Sequence, residues 1–180
     1  PLPEEELFYV EPSGTYVEEI MAYRREMLEA NSRFDGCYSL RRDETAADFI
    51  EHCRDWSNPK TPANRQGAKG NVILAIRKSD GKMVGCFQAH HILSERMAKY
   101  TGYVGYSVRP SERRKGYATQ MLAKAKEFLA SFGFKEIYVA CLPENEGSRK
   151  TILANGGEYV KTVYLEEDDV ELERYRIELS

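Results

Sequence analysis

The chain has 180 residues, room for one ordinary domain of about 100–200 residues. Apolar residues make up 42% and charged residues 31%, so a core can be buried, and the net charge of -3 (26 Lys and Arg against 29 Asp and Glu) excludes a broad electrostatic attraction to nucleic acid or an anionic membrane. No apolar run approaches the ~18 residues of a membrane span and no signal peptide opens the sequence, so a cytoplasmic protein is expected.

Leu7 to Val10 reads as a short strand, and residues 15–30 as a helix with Tyr16, Ile20, Tyr23, Met27 and Ala30 on one face. Thr45 and Asp48 resemble a capping box, opening a helix with Phe49, Ile50, Cys53 and Trp56 inward. Residues 57–70, SNPKTPANRQGAKG, are loop throughout: a connector, or a flap over a substrate site. From Asn71 strands dominate. NVILAI and MVGCFQAHHIL form a hairpin around Asp80-Gly81. The polar link SERMAKYT leads to GYVGYSV, with Val104, Tyr106 and Val108 on one face. A helix follows, its apolar stripe running from Ala118 through Met121, Leu122, Ala125, Phe128 and Leu129 to Phe132, and Gly133 ends it. IYVAC is a strand, residues 146–155 a short helix closed by Gly156-Gly157, and EYVKTVYL and ELERYRIEL two closing strands. One domain over 1–180 is expected: helices and acceptor-side loop at 1–70, a cofactor-binding core at 71–157, and a strand pair at 158–180.

Cys37, Cys53, Cys86 and Cys141 lie far apart without a CxxC, so no metal site is expected and the thiols read as buried apolar residues. The sequence RRKGYA, residues 113–118, sits between a strand and a helix. A helix start leaves amides unpaired and carries about half a positive charge. Gly116 lets a bulky anion approach the main chain, Ala118 keeps the first turn clear, and Arg113, Arg114 and Lys115 add charge. Strand, basic loop, glycine and helix read as a phosphate cradle, or as a solvated basic turn capping the helix. The patterns GxxxxGK[ST] and GxGxxG are absent, which argues against ATP and NAD.

Arg113-x-x-Gly116-x-Ala118 resembles the [QR]-x-x-G-x-[GA] motif of the Gcn5-related N-acetyltransferase (GNAT) superfamily. Asn145-x-x-Ser148, past the next helix and strand, is similar to that family's second signature, and the order of elements matches along nearly the whole chain. The form NxxS…NGG looks like a branch of small predicted acetyltransferases. The resemblance implies an α/β (α+β) fold: a mixed, mostly antiparallel twisted sheet of six or seven strands with flanking helices, splayed between strands four and five.

It also implies acetyl-coenzyme A (acetyl-CoA) as co-substrate, with no metal. The pyrophosphate would lie on the amides of residues 114–119, that is Arg114, Lys115, Gly116, Tyr117, Ala118 and Thr119, with Arg113 adding charge. The pantetheine would lie in the splay against the main chain of Tyr106 and Val108, the acetyl oxygen toward the Val108 N–H. Asn145 and Ser148 would contact the coenzyme, or else simply cap their helix. The acceptor would be the amine of a small molecule or a protein, with no nucleic acid or membrane partner, and the resemblance allows a homodimer.

The proton carriers cannot be copied across. Where many members place a glutamate or histidine on strand four, this chain has Gly102 or Val104; where many place a tyrosine, seven residues after Asn145, it has Ile152. Local candidates are His91, preferred over its neighbour His90, Tyr103, and Cys141 at the end of strand five, with packing roles as the alternative for each. Tyr106 is a further tyrosine to weigh, and His52 reads as surface. Glu166 to Asp169 would attract a cationic amine or form a solvated hairpin tip. Beside direct acetyl transfer stand two other readings: a catalytically silent coenzyme-binding module of the same fold, and an unrelated phosphate-binding protein.

Overall fold

The structure, a computed structural model, describes residues 6–63 and 67–179. Strands β1 (Leu7–Val10), β2 (Lys69–Arg77), β3 (Met83–Ile92) and β4 (Val104–Val108) form one antiparallel sheet in the order β1-β2-β3-β4. Strands β5 (Glu136–Cys141), β6 (Glu158–Leu165) and β7 (Val170–Glu178) form a second in the order β5-β7-β6. Helices α1 (Val17–Glu29) and α2 (Ala46–Ser57) cover one face of the first sheet; α4 (Tyr117–Ala130) covers the other, with α5 (Glu146–Ala154) beside it. The polar link between β3 and β4 carries a short helix, α3 (Glu95–Lys99), which period and propensity did not reveal because five residues give no readable stripe.

The core divides accordingly. Ile20, Tyr23, Met27, Phe49 and Trp56 pack with Leu74, Ile76 and Cys86 on one side; Met121, Leu122, Ala125 and Leu129 pack with Ala75, Phe87 and Val104 on the other. Covered on both faces, the strands read as continuous apolar runs rather than clean alternations. The helix starts follow their capping residues. Thr45 accepts from the Asp48 N–H at 3.2 Å and Asn145 from the Ser148 N–H at 3.0 Å. Gly133, at φ 94°, ends the α4 segment.

Of the segment expected as connector or flap, residues 64–66 lie outside the described residues. Its start is tied down: the buried Lys69 ammonium donates to the carbonyls of Asn58, at 2.5 Å, and Thr61. The acidic tip is also partnered, Asp168 with Arg96 of α3 and Asp169 with the Tyr164 hydroxyl. All four cysteines are buried free thiols. Among the described residues no helix is long and apolar enough to cross a membrane, and no cluster of His, Cys, Asp or Glu could hold a metal.

Arg174 of β7 joins the two sheets through the α3 link. Its buried guanidinium donates to the carbonyls of Thr101 (3.1 Å), Met97 (3.2 Å) and Ala98 (2.8 Å) and lies 4.0 Å over the Tyr138 ring. The planar fork reaches three carbonyls from two separated nitrogens and lies flat over a ring, an arrangement that an ammonium, with all its donors on one atom, does not reproduce. Arg174→Lys is therefore expected to behave almost as Arg174→Ala, each lowering stability in urea unfolding by about 2–3 kcal/mol, with faster amide exchange confined first to residues 93–102.

Candidate active site

Strands β4 and β5 meet at one end and part. The Tyr103 N–H donates to the Tyr138 carbonyl at 2.7 Å, and Gly102 passes so close that a Cβ there would stand 2.9 Å from the Ala140 nitrogen. Beyond that point the strands belong to different sheets. The Arg109 N–H donates to the Val84 carbonyl at 2.7 Å. Alternation then turns Ser107 and Gly105 toward β3, and the main-chain groups of Val104, Tyr106 and Val108 toward the gap. Among the described residues no strand pairs with that edge.

The back of β4 is fixed by its neighbours. The buried Tyr23 hydroxyl of α1 lies 2.8 Å from Ser107 Oγ, and Cys37 Sγ lies 3.2 Å from the same oxygen. Gly36, at φ 77°, packs directly on the strand; a Cβ there would stand 2.5 Å from the Gly105 carbonyl oxygen. Arg109 extends the brace into α1, donating to Glu26 at 3.1 Å and Glu19 at 3.3 Å. The strand is thus held on one face and one edge, and the other edge looks into a cavity of about 730 Å³, a size that suits a small organic ligand.

The cavity runs to the start of α4. Gly116, the helix N-cap, is left-handed at φ 83°, and no side chain caps the helix there, unlike α2, α3 and α5. Arg113, Arg114, Gly116, Tyr117, Ala118 and Thr119 all line this end. So do Tyr106 and Val108 on β4, Cys141 at the end of β5, and Asn145 and Ser148 at α5. Lys115 does not line it: its ammonium lies 2.8 Å from Glu112 as an ion pair. Arg113 also has protein partners, donating to the Val108 carbonyl at 3.0 Å and to Ser32 Oγ at 2.5 Å.

Glu112, which sequence reasoning passed over, organises this loop. It is 4% exposed and meets three cations, Arg77, Lys82 (2.9 Å) and Lys115. Burial alone would raise its pKa, but the hydrogen bonds from Lys115, Arg77 and Lys82 hold it down at about 2.

The proton-carrier candidates are distributed unevenly. His91 is turned to the α4 face of β3, its ring stacked 4.5 Å from Phe132, and it does not line the cavity. The Tyr103 side chain packs with Phe134 and Tyr138, also outside it. Cys141 does line it, but burial, with Glu173 nearby, pushes its thiol up to about 11. The Tyr106 hydroxyl crosses to α5, 2.7 Å from Ser148 Oγ, and burial pushes it up to about 12. Ile152, where many relatives carry a tyrosine, is fully buried.

The histidine that does line the cavity is His90, with Gln88 beside it. Adjacent strand residues face opposite ways, so one of the pair had to point there. Which one depends on strand phase, and irregular pairing between Ala75 and Ile76 hides that phase from the sequence.

The family model of the GNAT acetyltransferases matches residues 34–156, and the chain belongs to that family. Its fold is similar to that of the microcin C7 self-immunity acetyltransferase MccE in complex with acetyl-CoA and AMP, at 18% identity and TM-score 0.67, covering 97% of this chain and 93% of that one. It is similar to Mycobacterium smegmatis RimJ in complex with CoA-disulfide, at 17% identity and TM-score 0.70, covering 98% and 83%. It is also similar to the acetyltransferase of Salmonella typhimurium that modifies the N-terminal serine of ribosomal protein L7/L12, at 13% identity and TM-score 0.67, covering 99% and 98%. No curated protein matches the chain.

The Glu112 carboxyl carries a pH signature. Its folded pKa, about 2, lies below the ordinary 4.5, so its stabilisation is complete above the ordinary value and is lost as pH falls from there through the folded value. Glu112→Gln is expected to lower stability at pH 7 by roughly 2–4 kcal/mol and to flatten the acid branch of the stability profile below pH ~4.5, read by urea unfolding at a series of pH values.

Proposed function

We propose that the protein transfers an acetyl group from acetyl-CoA to a primary amine by direct attack, within one domain spanning 1–180. The observation that carries this reading is the edge of β4 that no strand pairs among the described residues, facing a cavity that leads to a helix start without a side-chain cap. The two features match the two ends of the coenzyme. The pyrophosphate takes the amides at the start of α4, from Arg114 to Thr119, where the helix carries its partial positive charge. Arg113 and Arg114 contribute charge at the same end, and Lys115 acts through Glu112 by holding the loop's shape. The pantetheine amides pair with Tyr106 and Val108 as a further strand would. Asn145 caps α5 through the Ser148 N–H, and the Ser148 hydroxyl shares a hydrogen bond with Tyr106, so both serve the coenzyme by shaping the wall they line.

Strand direction orders the rest. Val108 lies next to the pyrophosphate end, so the arm extends back along β4 and the thioester lies toward Val104, near where the strands meet. On this reading the N–H facing the acetyl oxygen belongs to that end rather than to Val108, and it stabilises the developing oxyanion. The amine nitrogen attacks the carbonyl carbon, the C–N bond forms, the C–S bond breaks, and the coenzyme leaves as its thiol. The structural relatives crystallised with acetyl-CoA and coenzyme A support the choice of cofactor. The acceptor is a small-molecule or protein amine, and the place of action is the cytoplasm.

Calorimetry with coenzyme A tests the site: Gly116→Asp is expected to weaken binding by at least about 10²-fold, because a carboxylate at the cradle repels the pyrophosphate, while the far-UV circular dichroism stays unchanged. Binding that survives the substitution refutes the cradle. Thiol release from acetyl-CoA with a panel of primary amines separates a transferase from a silent coenzyme-binding module.

A further inference from the structure

Resting on that reading, we propose that His90 is the base of this site, taking the proton of the acceptor ammonium on Nε2. The ring is fixed at both nitrogens. Nδ1 lies 2.9 Å from the Tyr103 carbonyl oxygen. A carbonyl only accepts, so Nδ1 carries the proton. On the other side, Gln88 is oriented by the loop after α1: its Oε1 accepts the Tyr38 N–H at 2.8 Å. Its amide nitrogen therefore faces His90 Nε2, at 3.3 Å, and donates to the lone pair there. Two independent neighbours select the same tautomer, and the lone pair lies on the side of Gln88, another residue lining the cavity.

The support behind the ring is rigid. The edge of Trp56 meets His90 at 5.2 Å, and Trp56 is itself stacked on Tyr38 at 4.2 Å and donates its indole N–H to the Ala68 carbonyl at 3.1 Å. His90 stands next to β4 at the end where the thioester lies, its own N–H bonded to the Tyr103 carbonyl at 2.9 Å. Its neighbours are Gln88 and His91 on β3, Trp56 on α2, and Tyr103 just before β4. Among the described residues no carboxylate bonds to it. Burial, with His91 adding to it, holds its pKa below the ordinary 6.5, and the ring is neutral at pH 7.

The contact between Gln88 and His90 is long for a hydrogen bond, so an incoming ammonium displaces the amide. One N–H bond of the ammonium breaks and its proton goes to Nε2. The freed lone pair attacks the thioester carbon, the C–S pair leaves on sulfur, and a second proton from the new amide nitrogen goes to that sulfur. The imidazolium proton passes to solvent. The balance is ammonium plus thioester giving amide, thiol and one proton.

The test uses glycinamide as acceptor, since its α-amino group titrates near ~8 and is largely ammonium at neutral pH. Coenzyme thiol release gives kcat against pH, and calorimetry gives the acetyl-CoA affinity in parallel. His90→Gln is expected to lower kcat by about 10²-fold and to replace the imidazole's acid limb with one that follows the amine's own titration near ~8, with acetyl-CoA affinity unchanged. Gln88→Leu removes a donor that favours the neutral ring, so it is expected to move the acid limb to higher pH. Nitrogen-15 NMR of the wild-type imidazole is expected to show the proton on Nδ1. An unchanged acid limb in His90→Gln, a proton on Nε2, or no thiol release above the buffer rate while acetyl-CoA binds would each overturn the base. Failure of the wild type to bind acetyl-CoA would instead overturn the site reading on which it rests.

Discussion

One backbone hydrogen bond, from Tyr103 to Tyr138, marks where β4 and β5 stop being neighbours. Everything that makes the site a site follows from the parting beyond it. A strand edge with unpaired amides in a folded protein is costly or adhesive unless something covers it. Here it is kept narrow, walled by α5 and the loop after α1, and aimed at the start of α4. The gap persists because each strand is held elsewhere: β4 by β3 and by Tyr23, Gly36 and Cys37 behind it, β5 by β7. Arg174 fixes the link that crosses the closed end.

Charge is handled with the same economy. The basic loop holds three consecutive cations, and among the described residues only Arg114 of the three has neither an ion pair nor a side-chain hydrogen bond; it lines the cavity. Lys115 is spent on Glu112, and Arg113 on Val108 and Ser32. The buried carboxylate therefore sets the loop's shape, and shape presents the amides. On the proposed reading, a helix start that no side chain caps among the described residues supplies the attraction that local cations supply only in part. The weak net charge of the whole chain is consistent with such a local device.

Much of this was legible from residue pattern. The stripe from Met121 to Leu129, the hairpin at Asp80-Gly81 and the capping residues Thr45 and Asn145 each act over a few residues, where local rules hold. The place of RRKGYA between a strand and a helix start was readable because a glycine and a small residue at fixed spacing mark such a turn. Glu112 was not, because its partners Arg77 and Lys82 come from the opposite side of a hairpin and meet it only in three dimensions. Which of His90 and His91 faces the cavity was not legible for a different reason: both faces of β3 are covered, so apolar alternation carries no phase, and irregular pairing with β2 removes what remained. Helix α3 was too short to leave a period.

The central claim is that the gap-facing edge of β4 is open to the coenzyme and closed by it. Residue-resolved amide hydrogen exchange, with and without acetyl-CoA, tests this most directly. The N–H groups of Tyr106, Val108 and residues 116–119 are expected to exchange readily in the free protein and to become protected when acetyl-CoA is added, while Ser107, already bonded to β3, changes little. Full protection of Tyr106 and Val108 in the free protein, or no change on adding the coenzyme, would contradict the account.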